Sequence, residues 1–366
     1  MIVYGILMCI TVFVGWIATR TKKAVIREQS MNNWLAYILM VGMTALPCAL
    51  VSGLRDFHVG TDTSGTYYTI YLQVLSGKMS SVRDVGYAFI NWLAIQLSSS
   101  YTSVLLVTSF LITGLTMIAI FKSSSNPVMS LLLFFTTNMY FISMNAIRQS
   151  IATSIFVLAI PYIRDRKPKR YFFMIFLAAT VHIIAVVYIP VYFLVKVKLN
   201  PRRIIVLGGI VVVFGNLLGI LANFLLTKVT FFSTYFSWYL FTAYNSKETN
   251  WFSLLVEIGI MALLLIVYKQ AKNDEEYRIF LWLHFIATGL LVLSSRIPQG
   301  QRMSWLFSFS TVVYLPKVLS YIKGYDNRKI ISFTVNAAFF AYMFITVFMR
   351  GYHEVVPYSS ILFSGV

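Results

Sequence analysis

Long apolar runs alternate with short polar segments along the whole chain. A helix needs about 20 apolar residues to cross the hydrocarbon core of a bilayer, and many of these runs approach that length. They lie near residues 2–19, 33–54, 101–121, 128–144, 147–163, 203–226, 251–268, 278–295, 303–321 and 330–349, with a further apolar stretch at 171–195. The pattern predicts an all-α polytopic membrane protein with about 11 spans, built as a single membrane domain over residues 1–366.

The composition supports a membrane protein and indicates which loops face the cytoplasm. Hydrophobic residues make up 58% of the chain and charged residues only 11%, whereas soluble domains carry about 25% charged residues. The basic residues behind the net charge of +18 are dispersed between apolar runs. This dispersal is typical of cytoplasmic loops and argues against nucleic acid as a partner. Basic residues follow the first run instead of preceding it, the reverse of a secretory signal, so we expect the N-terminus outside.

The apolar stretch 171–195 has basic residues at both ends, which a single crossing of the membrane does not allow. The loop 164–170 precedes it, and Lys196, Lys198, Arg202 and Arg203 follow it. If both ends are cytoplasmic, the chain enters the membrane and returns, as two short helices or as a re-entrant hairpin that turns near His182. Re-entrant backbone is tolerated only where it is buried in protein or lines a wet cavity.

Two segments on the predicted outer side, 55–100 and 227–250, are long enough to cover an active-site cavity. The first contains the amphipathic stretch 86–97, which predicts a short interfacial helix. The second is dense in aromatic residues, which indicates an interfacial belt or a platform for sugars. The cytoplasmic loops are short, and the sequence has neither a P-loop nor a Gly-x-Gly-x-x-Gly motif, which argues against a soluble nucleotide-binding domain.

Arginines on the outer side are the first candidates for binding an anionic group. Arg148, Arg296 and Arg302 are all expected there. Arginine forks match phosphate oxygens and keep their charge when water is removed. The structural alternative for Arg148 is a side chain that snorkels at the membrane interface.

Two residues are candidates for a general base, and each also has a structural interpretation. Asp62 follows Arg55 in a polar segment, where it acts as a base or simply caps the next helix. His182 lies in an apolar run, where it is a satisfied core residue or a functional group at the predicted turn. Glu257, within its span, is a pathway carboxylate or the ion-pair partner of an outer arginine, whereas His284 is interpreted as structural.

Metal binding is not expected from the sequence. His58 lies near Asp56, and His353 is next to Glu354, but neither spacing matches a known ligand pattern. We therefore predict no metal and no cofactor.

Several short motifs occur in an order that resembles a known family. They are Arg55 with Val59-Gly60-Thr61-Asp62, Asp84-Val85-Gly86-Tyr87 with Asn91, Asn145-Ala146-Ile147-Arg148-Gln149, Leu177-Ala178-Ala179-Thr180-Val181-His182, and Val356-Pro357-Tyr358. In these the chain resembles the EpsG family, Wzy-like integral membrane polymerases of bacterial exopolysaccharides and capsules, over essentially its whole length. At 84–85 the chain has Asp-Val where the family pattern has Glu-Pro, which argues against a strict catalytic role for Asp84.

The resemblance implies a GT-C-like glycosyltransferase in the bacterial cytoplasmic membrane, with its active site facing outside. Such an enzyme would join oligosaccharide repeat units carried on undecaprenyl diphosphate and release undecaprenyl diphosphate. Its partners would be the lipid-linked oligosaccharide, the growing glycan, the lipid bilayer and other exopolysaccharide synthesis proteins. The alternatives are a flippase or transporter of the same lipid-linked sugar, and a polysaccharide ligase.

The expected site combines the motif residues with the outer arginines. We expect three catalytic residues, Asp62, Arg148 and His182, with Asp62 or His182 accepting the proton of the attacking hydroxyl. Arg148, with Arg296 and Arg302, would bind the diphosphate and stabilise its charge as it leaves. The expected substrate-binding residues are Arg55, Tyr67, Asp84, Asn145, Gln149, Arg296, Gln299, Arg302 and Tyr358.

Overall fold

The protein is helical throughout the part of the chain that the structure describes. A computed structural model describes residues 1–28, 31–228, 250–297 and 299–363. Within these ranges there is no β-strand beyond an isolated bridge between Arg55 and Ser360, so the all-α prediction is confirmed. The helices are α1 (Ile2–Glu28), α2 (Met31–Gly53), α3 (Tyr68–Leu75), α4 (Val85–Leu97), α5 (Tyr101–Ser123), α6 (Pro127–Thr136), α7 (Met139–Asn145), α8 (Ile147–Arg164), α9 (Pro168–Val181), α10 (Val191–Leu194), α11 (Pro201–Val213), α12 (Gly215–Lys228), α13 (Trp251–Ala271), α14 (Glu275–Val292), α15 (Gly300–Ser308), α16 (Ser310–Ser320) and α17 (Tyr325–Met343). Short π or 3₁₀ helices cover Thr63–Tyr67, Met79–Ser81, Ile183–Tyr188, Leu293–Ser295, Phe344–Met349 and Tyr352–Glu354.

The described helices provide six to eight candidate membrane spans, so the predicted count of about 11 is not confirmed. Six helices are long and apolar enough to cross a membrane, and two bent helix pairs raise the number to eight if each pair is one span. The six spans are Ile2–Lys22, Trp34–Gly53, Tyr101–Ser123, Trp251–Ala271, Glu275–Ser295 and Tyr325–Met349. The bent pairs are α6 with α7, at 53°, and α11 with the first part of α12, at 70°.

Backbone breaks explain why some apolar runs are not single straight helices. The run 128–144 breaks at Asn138, whose φ of 67° lies in the left-handed region. The side chain of Asn138 compensates by donating a hydrogen bond to Thr346 Oγ1 at 2.7 Å. The run 303–321 is divided at Phe309, between α15 and α16. Hydropathy does not reveal such breaks, because the residues at them belong to continuous apolar runs.

The chain packs as two compact units. The first comprises Met1–Tyr192 and Val312–Val366, and the second comprises Phe193–Thr311. A single membrane domain over residues 1–366 stays a prediction.

Helix α8 lies at the centre of the first unit. It packs against α5, α7 and α9, and 13 of its 18 residues are buried. Near its N-terminus, Ile147 and Ile151 join a buried apolar cluster that includes Tyr67, Tyr87 and Val181. The start of α8 is thereby held against the segment 55–100 and the end of α9.

The chain reverses its direction near His182, as predicted, whereas its entry into the membrane with both ends cytoplasmic stays a prediction. Helix α9 ends at Val181, His182 takes an extended backbone, and a 3₁₀ helix follows over Ile183–Tyr188. The Tyr171 hydroxyl, near the start of α9, donates a hydrogen bond to the Tyr188 carbonyl at 2.6 Å. The two arms therefore lie side by side, with His182 at the turn.

The structure describes the first of the two segments that were predicted on the outer side, but little of the second. The short helix expected at 86–97 is present as α4. The aromatic segment 227–250 lies outside the described residues for nearly all of its length.

The second unit contains a buried polar cluster between its helices. Ser308 Oγ of α15 donates to Glu257 Oε1 of α13 at 2.6 Å. His284 of α14 donates from Nε2 to the Glu257 carbonyl at 2.8 Å, and its Nδ1 lies 3.0 Å from Glu257 Oε2. The interpretation of His284 as structural fits these contacts, and Glu257 has its partners inside this unit.

Candidate functional site

Three of the predicted site residues meet in the first unit. Arg148 Nη1 donates to Asp84 Oδ2 at 2.6 Å, and His182 Nδ1 lies 3.4 Å from the same oxygen. The Asp84 side chain is 1% exposed, whereas those of Arg148 and His182 are 16% and 18% exposed. A buried carboxylate therefore holds a guanidinium and an imidazole that both retain access to the surface.

The N-terminus of α4 positions Asp84 against the end of α9. Asp84 precedes the first residue of α4, and its Oδ1 accepts a hydrogen bond from the backbone N–H of Ile183 at 3.3 Å. Gly86, in the first turn of α4, packs directly on Thr180: a Cβ there would lie 2.6 Å from Thr180 Oγ1 and 2.8 Å from the Thr180 carbonyl carbon. Only glycine permits this approach without displacement, so Gly86 sets the spacing between Asp84 and His182.

Two buried tyrosine rings enclose the guanidinium of Arg148. Its Cζ lies 5.8 Å from the centroid of the Tyr67 ring and 6.0 Å from that of Tyr87. The two rings contact each other edge to face, with centroids 5.8 Å apart. The Tyr67 hydroxyl also accepts a hydrogen bond from the backbone N–H of Arg148, at 3.4 Å. The rings favour a cation at this position and keep water from its faces.

The carboxyl of Asp84 stays ionised in this environment. Burial acts to raise its pKa, but the hydrogen bond and charge of His182, the charge of Arg148 and the N–H of Ile183 together lower the pKa below its ordinary value of 3.8. The carboxylate is therefore a fixed negative charge that can orient the imidazole through Nδ1. When Nδ1 carries the proton that points to Asp84, the lone pair of the ring lies on Nε2.

Arg55 is buried at the start of the segment 55–100, where backbone carbonyls accept its hydrogen bonds. Its side chain donates to the carbonyl of Ser52, to Val59 O at 3.2 Å and to Met144 O at 2.9 Å. The residue is 1% exposed. These contacts join the start of the segment 55–100 to the end of α7.

Asn145 connects the segment that follows Arg55 to the C-terminal residues around His353. Its Oδ1 accepts from Thr61 Oγ1 at 3.1 Å, and its Nδ2 donates to the His353 carbonyl at 2.9 Å. Gly60 has a φ of +102°, and a Cβ there would lie 2.8 Å from Asn145 Oδ1. The backbone N–H of Gly60 donates to the Glu354 carbonyl at 2.9 Å. Two of the sequence motifs thus meet at one junction, where Asn145 contacts Thr61.

Three further residues that the sequence predicts for the site also belong to the first unit. Asp62 is 5% exposed and precedes the helical turn Thr63–Tyr67, but its side chain makes no capping hydrogen bond there. Gln149 follows Arg148 in the first turn of α8. Tyr358 donates from its hydroxyl to the Val51 carbonyl at 2.9 Å, which fastens the C-terminal segment to α2.

Three predicted residues belong to the second unit. Arg296 donates from Nε to Asn216 Oδ1 at 2.7 Å and packs on the first turns of α12. Gln299 adopts a left-handed backbone, with a φ of 57°, just before α15. Arg302 follows on α15 and is partly exposed. A joint role of Arg296 and Arg302 with Arg148 stays a prediction.

Within the described ranges, no group of three or more histidine, cysteine, aspartate or glutamate residues is arranged to hold a metal ion. The structure adds Tyr87, Gly86 and the backbone of Ile183 to the site. Gly86 and Tyr87 lie in the motif that contains Asp84, and a glycine at the first turn of an amphipathic helix was the available signal for a close approach.

Comparison with known proteins places the chain in a family. No curated protein matches the chain, and no solved structure matches it. The family model described as the EpsG family matches residues 34–360, nearly the whole sequence. This protein therefore belongs to the EpsG family.

Proposed function

We propose that this protein polymerises oligosaccharide repeat units linked to undecaprenyl diphosphate on the outer face of the bacterial cytoplasmic membrane. The observation that carries the proposal is the Asp84–Arg148–His182 cluster, in which one buried carboxylate contacts a guanidinium and an imidazole. Membership of the EpsG family and the helical membrane architecture support it. A GT-C-like fold is part of the same proposal.

In the proposed reaction, His182 is the general base. Its Nδ1 faces Asp84, so Nε2 accepts the proton of the attacking sugar hydroxyl. The hydroxyl oxygen forms a bond to the anomeric carbon of the donor sugar, and the bond from that carbon to the diphosphate oxygen breaks. The diphosphate takes the bonding electrons and leaves as undecaprenyl diphosphate. The contact of His182 with Asp84 favours His182 over Asp62 as the base.

Arg148 supplies positive charge to the diphosphate as it leaves. Before reaction, Asp84 balances Arg148 and the imidazole is neutral. Transfer of the hydroxyl proton to His182 gives the cluster one net positive charge while negative charge develops on the leaving group. Fixed charges of this kind stabilise a transition state because they need no reorganisation. Arg148 keeps 16% of its side chain exposed, so the residue is not sealed from a ligand.

A role of Arg296 and Arg302 with Arg148 in binding the leaving diphosphate, as expected from the sequence, is a further part of the proposal. Arginine forks match phosphate oxygens and keep their charge when water is removed. Cysteine labelling that places residue 148 on the cytoplasmic side would overturn this scheme.

The test uses purified protein in lipid with a synthetic oligosaccharide linked to undecaprenyl diphosphate. Elongated glycan together with released polyprenyl diphosphate establishes the polymerase. Translocation without release identifies a transporter, and transfer of the chain to a different acceptor identifies a ligase. His182→Ala should abolish elongation, while His58→Ala is the matched control, because His58 is an exposed histidine of the segment 55–100 that does not belong to the cluster.

A further inference from the structure

An apolar groove begins at the candidate site and runs between the two arms that meet at His182. Its volume is about 400 Å³, within the range of roughly 300–1,000 Å³ that is typical of small-molecule sites. Helix α9 forms one wall, and the returning 3₁₀ helix forms the other. Both walls belong to the first unit.

Each wall presents an apolar stripe with the period of its own helix. On α9 the lining residues are Phe172, Ile175, Phe176 and Ala179, which share one face at 3.6 residues per turn. On the returning arm, Ile183, Val186 and Ile189 line the groove, with the spacing of three that a 3₁₀ helix gives. Thr180 is the one polar residue of the lining.

One end of the groove adjoins the Asp84–Arg148–His182 cluster. Thr180 and Ile183 line the groove on either side of the turn at His182. The backbone N–H of Ile183 donates to Asp84 Oδ1. A ligand in the groove would therefore place its apolar part along α9 and its polar head beside His182 and Arg148.

We propose that this groove binds the polyprenyl chain of a lipid-diphosphate substrate. The inference rests on the proposed function, which supplies a substrate with an apolar chain joined directly to a diphosphate. An amphiphile of this shape fits a groove whose walls are apolar and whose lining residue Ile183 contacts Asp84, the partner of Arg148. The groove then holds the first isoprene units and fixes the position of the diphosphate relative to His182. Positioning of this kind contributes to rate because it removes the need to align the reacting groups.

Photo-cross-linking tests occupancy without requiring turnover. The full-length protein in nanodiscs is exposed to a polyprenyl diphosphate that carries a diazirine on its first isoprene units. We expect labelled peptides within residues 172–189, with labelling suppressed by unlabelled polyprenyl diphosphate but not by added phosphatidylglycerol. Equal suppression by both lipids would show that an ordinary bilayer lipid fills the groove, and labelling elsewhere would overturn the proposal.

Substitutions in the groove test its contribution to catalysis. Ala179→Trp fills the α9 wall, and Val186→Phe fills the opposite wall. Each should lower kcat/KM for a long-chain substrate about tenfold, the loss expected when one or two methylene groups lose their apolar contacts. With a short-prenyl analogue of the same oligosaccharide, the effect should stay within about twofold, because less chain reaches the groove.

The matched control is Leu177→Trp, which adds the same side chain on α9 at an exposed position outside the lining. It should leave both substrates unaffected. If the wild type elongates glycan but both groove variants act equally on long and short chains, the groove proposal falls and the polymerase stands. If the wild type shows cross-linking in the groove but no elongation with either substrate, the proposed function fails and the binding site stands.

Discussion

Arg148 Nη1 and Asp84 Oδ2 lie 2.6 Å apart, although 64 residues separate them in the chain. Their ion pair joins the start of α8 to the start of α4, and the Asp84 carboxylate is almost completely buried. Replacing one partner of such a pair leaves a charge in a poorly hydrated environment, at a cost of roughly 3–5 kcal/mol. A substitution at Arg148 or Asp84 therefore reports on catalysis only if the variant still folds.

Arg148→Lys distinguishes a catalytic role of Arg148 from a structural one. Lysine keeps the positive charge near Asp84, but it lacks the planar fork that binds phosphate oxygens in pairs. We expect normal amounts of folded protein in the membrane, and kcat lower by about 10²-fold, the loss seen when one transition-state donor is removed. Arg148→Ala should abolish polymer formation.

The control for both variants is Arg83→Ala, an exposed arginine next to Asp84 in the sequence. It should keep wild-type elongation. Wild-type kcat in Arg148→Lys, or failure of Arg148→Ala to insert into the membrane, would favour a purely structural arginine.

Asp84→Asn tests the orientation of His182. The wild-type carboxylate favours the charged imidazole, so its removal makes His182 a weaker base and shifts the acid limb of the pH–rate profile to lower pH. The rate at the optimum should fall as well, because an amide holds the ring less firmly. A lower rate with an unchanged pH profile would mean that Asp84 supports the fold without acting through His182.

The depressed pKa of Asp84 also sets the pH range in which its ion pair stabilises the protein. The pKa of the carboxyl is below 3.8 in the folded protein, so its contribution is fully present above that value and is lost as the pH falls through the folded pKa. Thermal unfolding in detergent should show no loss of stability from this group between about pH 4.5 and about pH 8, because the whole range lies above the ordinary pKa of the carboxyl. Asp84→Asn should be less stable than the wild type over that whole range.

Gly86→Ala tests whether the contact between α4 and α9 sets the site. A Cβ at this position would lie 2.6 Å from Thr180 Oγ1 and 2.8 Å from backbone, so α4 has to move away from α9. We expect elongation to fall by about 10²-fold, because a displacement near 1 Å misaligns a catalytic group by that factor. Gly65→Ala is the control, since a Cβ there meets nothing within 4 Å. Equal activity of the two variants would show that α4 adapts without disturbing Asp84.

The sequence predicts the reversal of the chain at His182, but it does not predict which residues His182 contacts. The basic residues on both sides of 171–195 predict the return of the chain at His182, because two cytoplasmic ends require it. They do not predict that Asp84 would be the partner of His182, since a contact across 98 residues depends on how α4 packs on α9. The predicted count of about 11 spans is not confirmed, because several apolar runs form bent or short helices within the described residues.

Arg55 and Arg148 show that the sequence does not reveal the different environments of two arginines. In the sequence both are arginines of the predicted outer side, each in a polar motif. In the structure the exposed fraction differs, at 1% for Arg55 and 16% for the Arg148 side chain. Carbonyl groups accept the hydrogen bonds of Arg55, whereas Arg148 contacts a carboxylate and two aromatic rings. Hydropathy and motif spacing carry no information about this difference.

Arg55→Lys distinguishes a structural arginine from one that binds substrate. A lysine cannot donate at once to the carbonyls of Ser52, Val59 and Met144, and each lost bond to a charged donor costs about 1.5–3 kcal/mol. We expect lower thermal stability in detergent and less protein in the membrane, with an unchanged KM for the protein that folds. Lys78→Arg, at an exposed position of the same segment, controls for the exchange of one basic residue for another. A raised KM with normal stability would instead place Arg55 in contact with the substrate, because only a contact made in the bound complex changes KM without changing the fold.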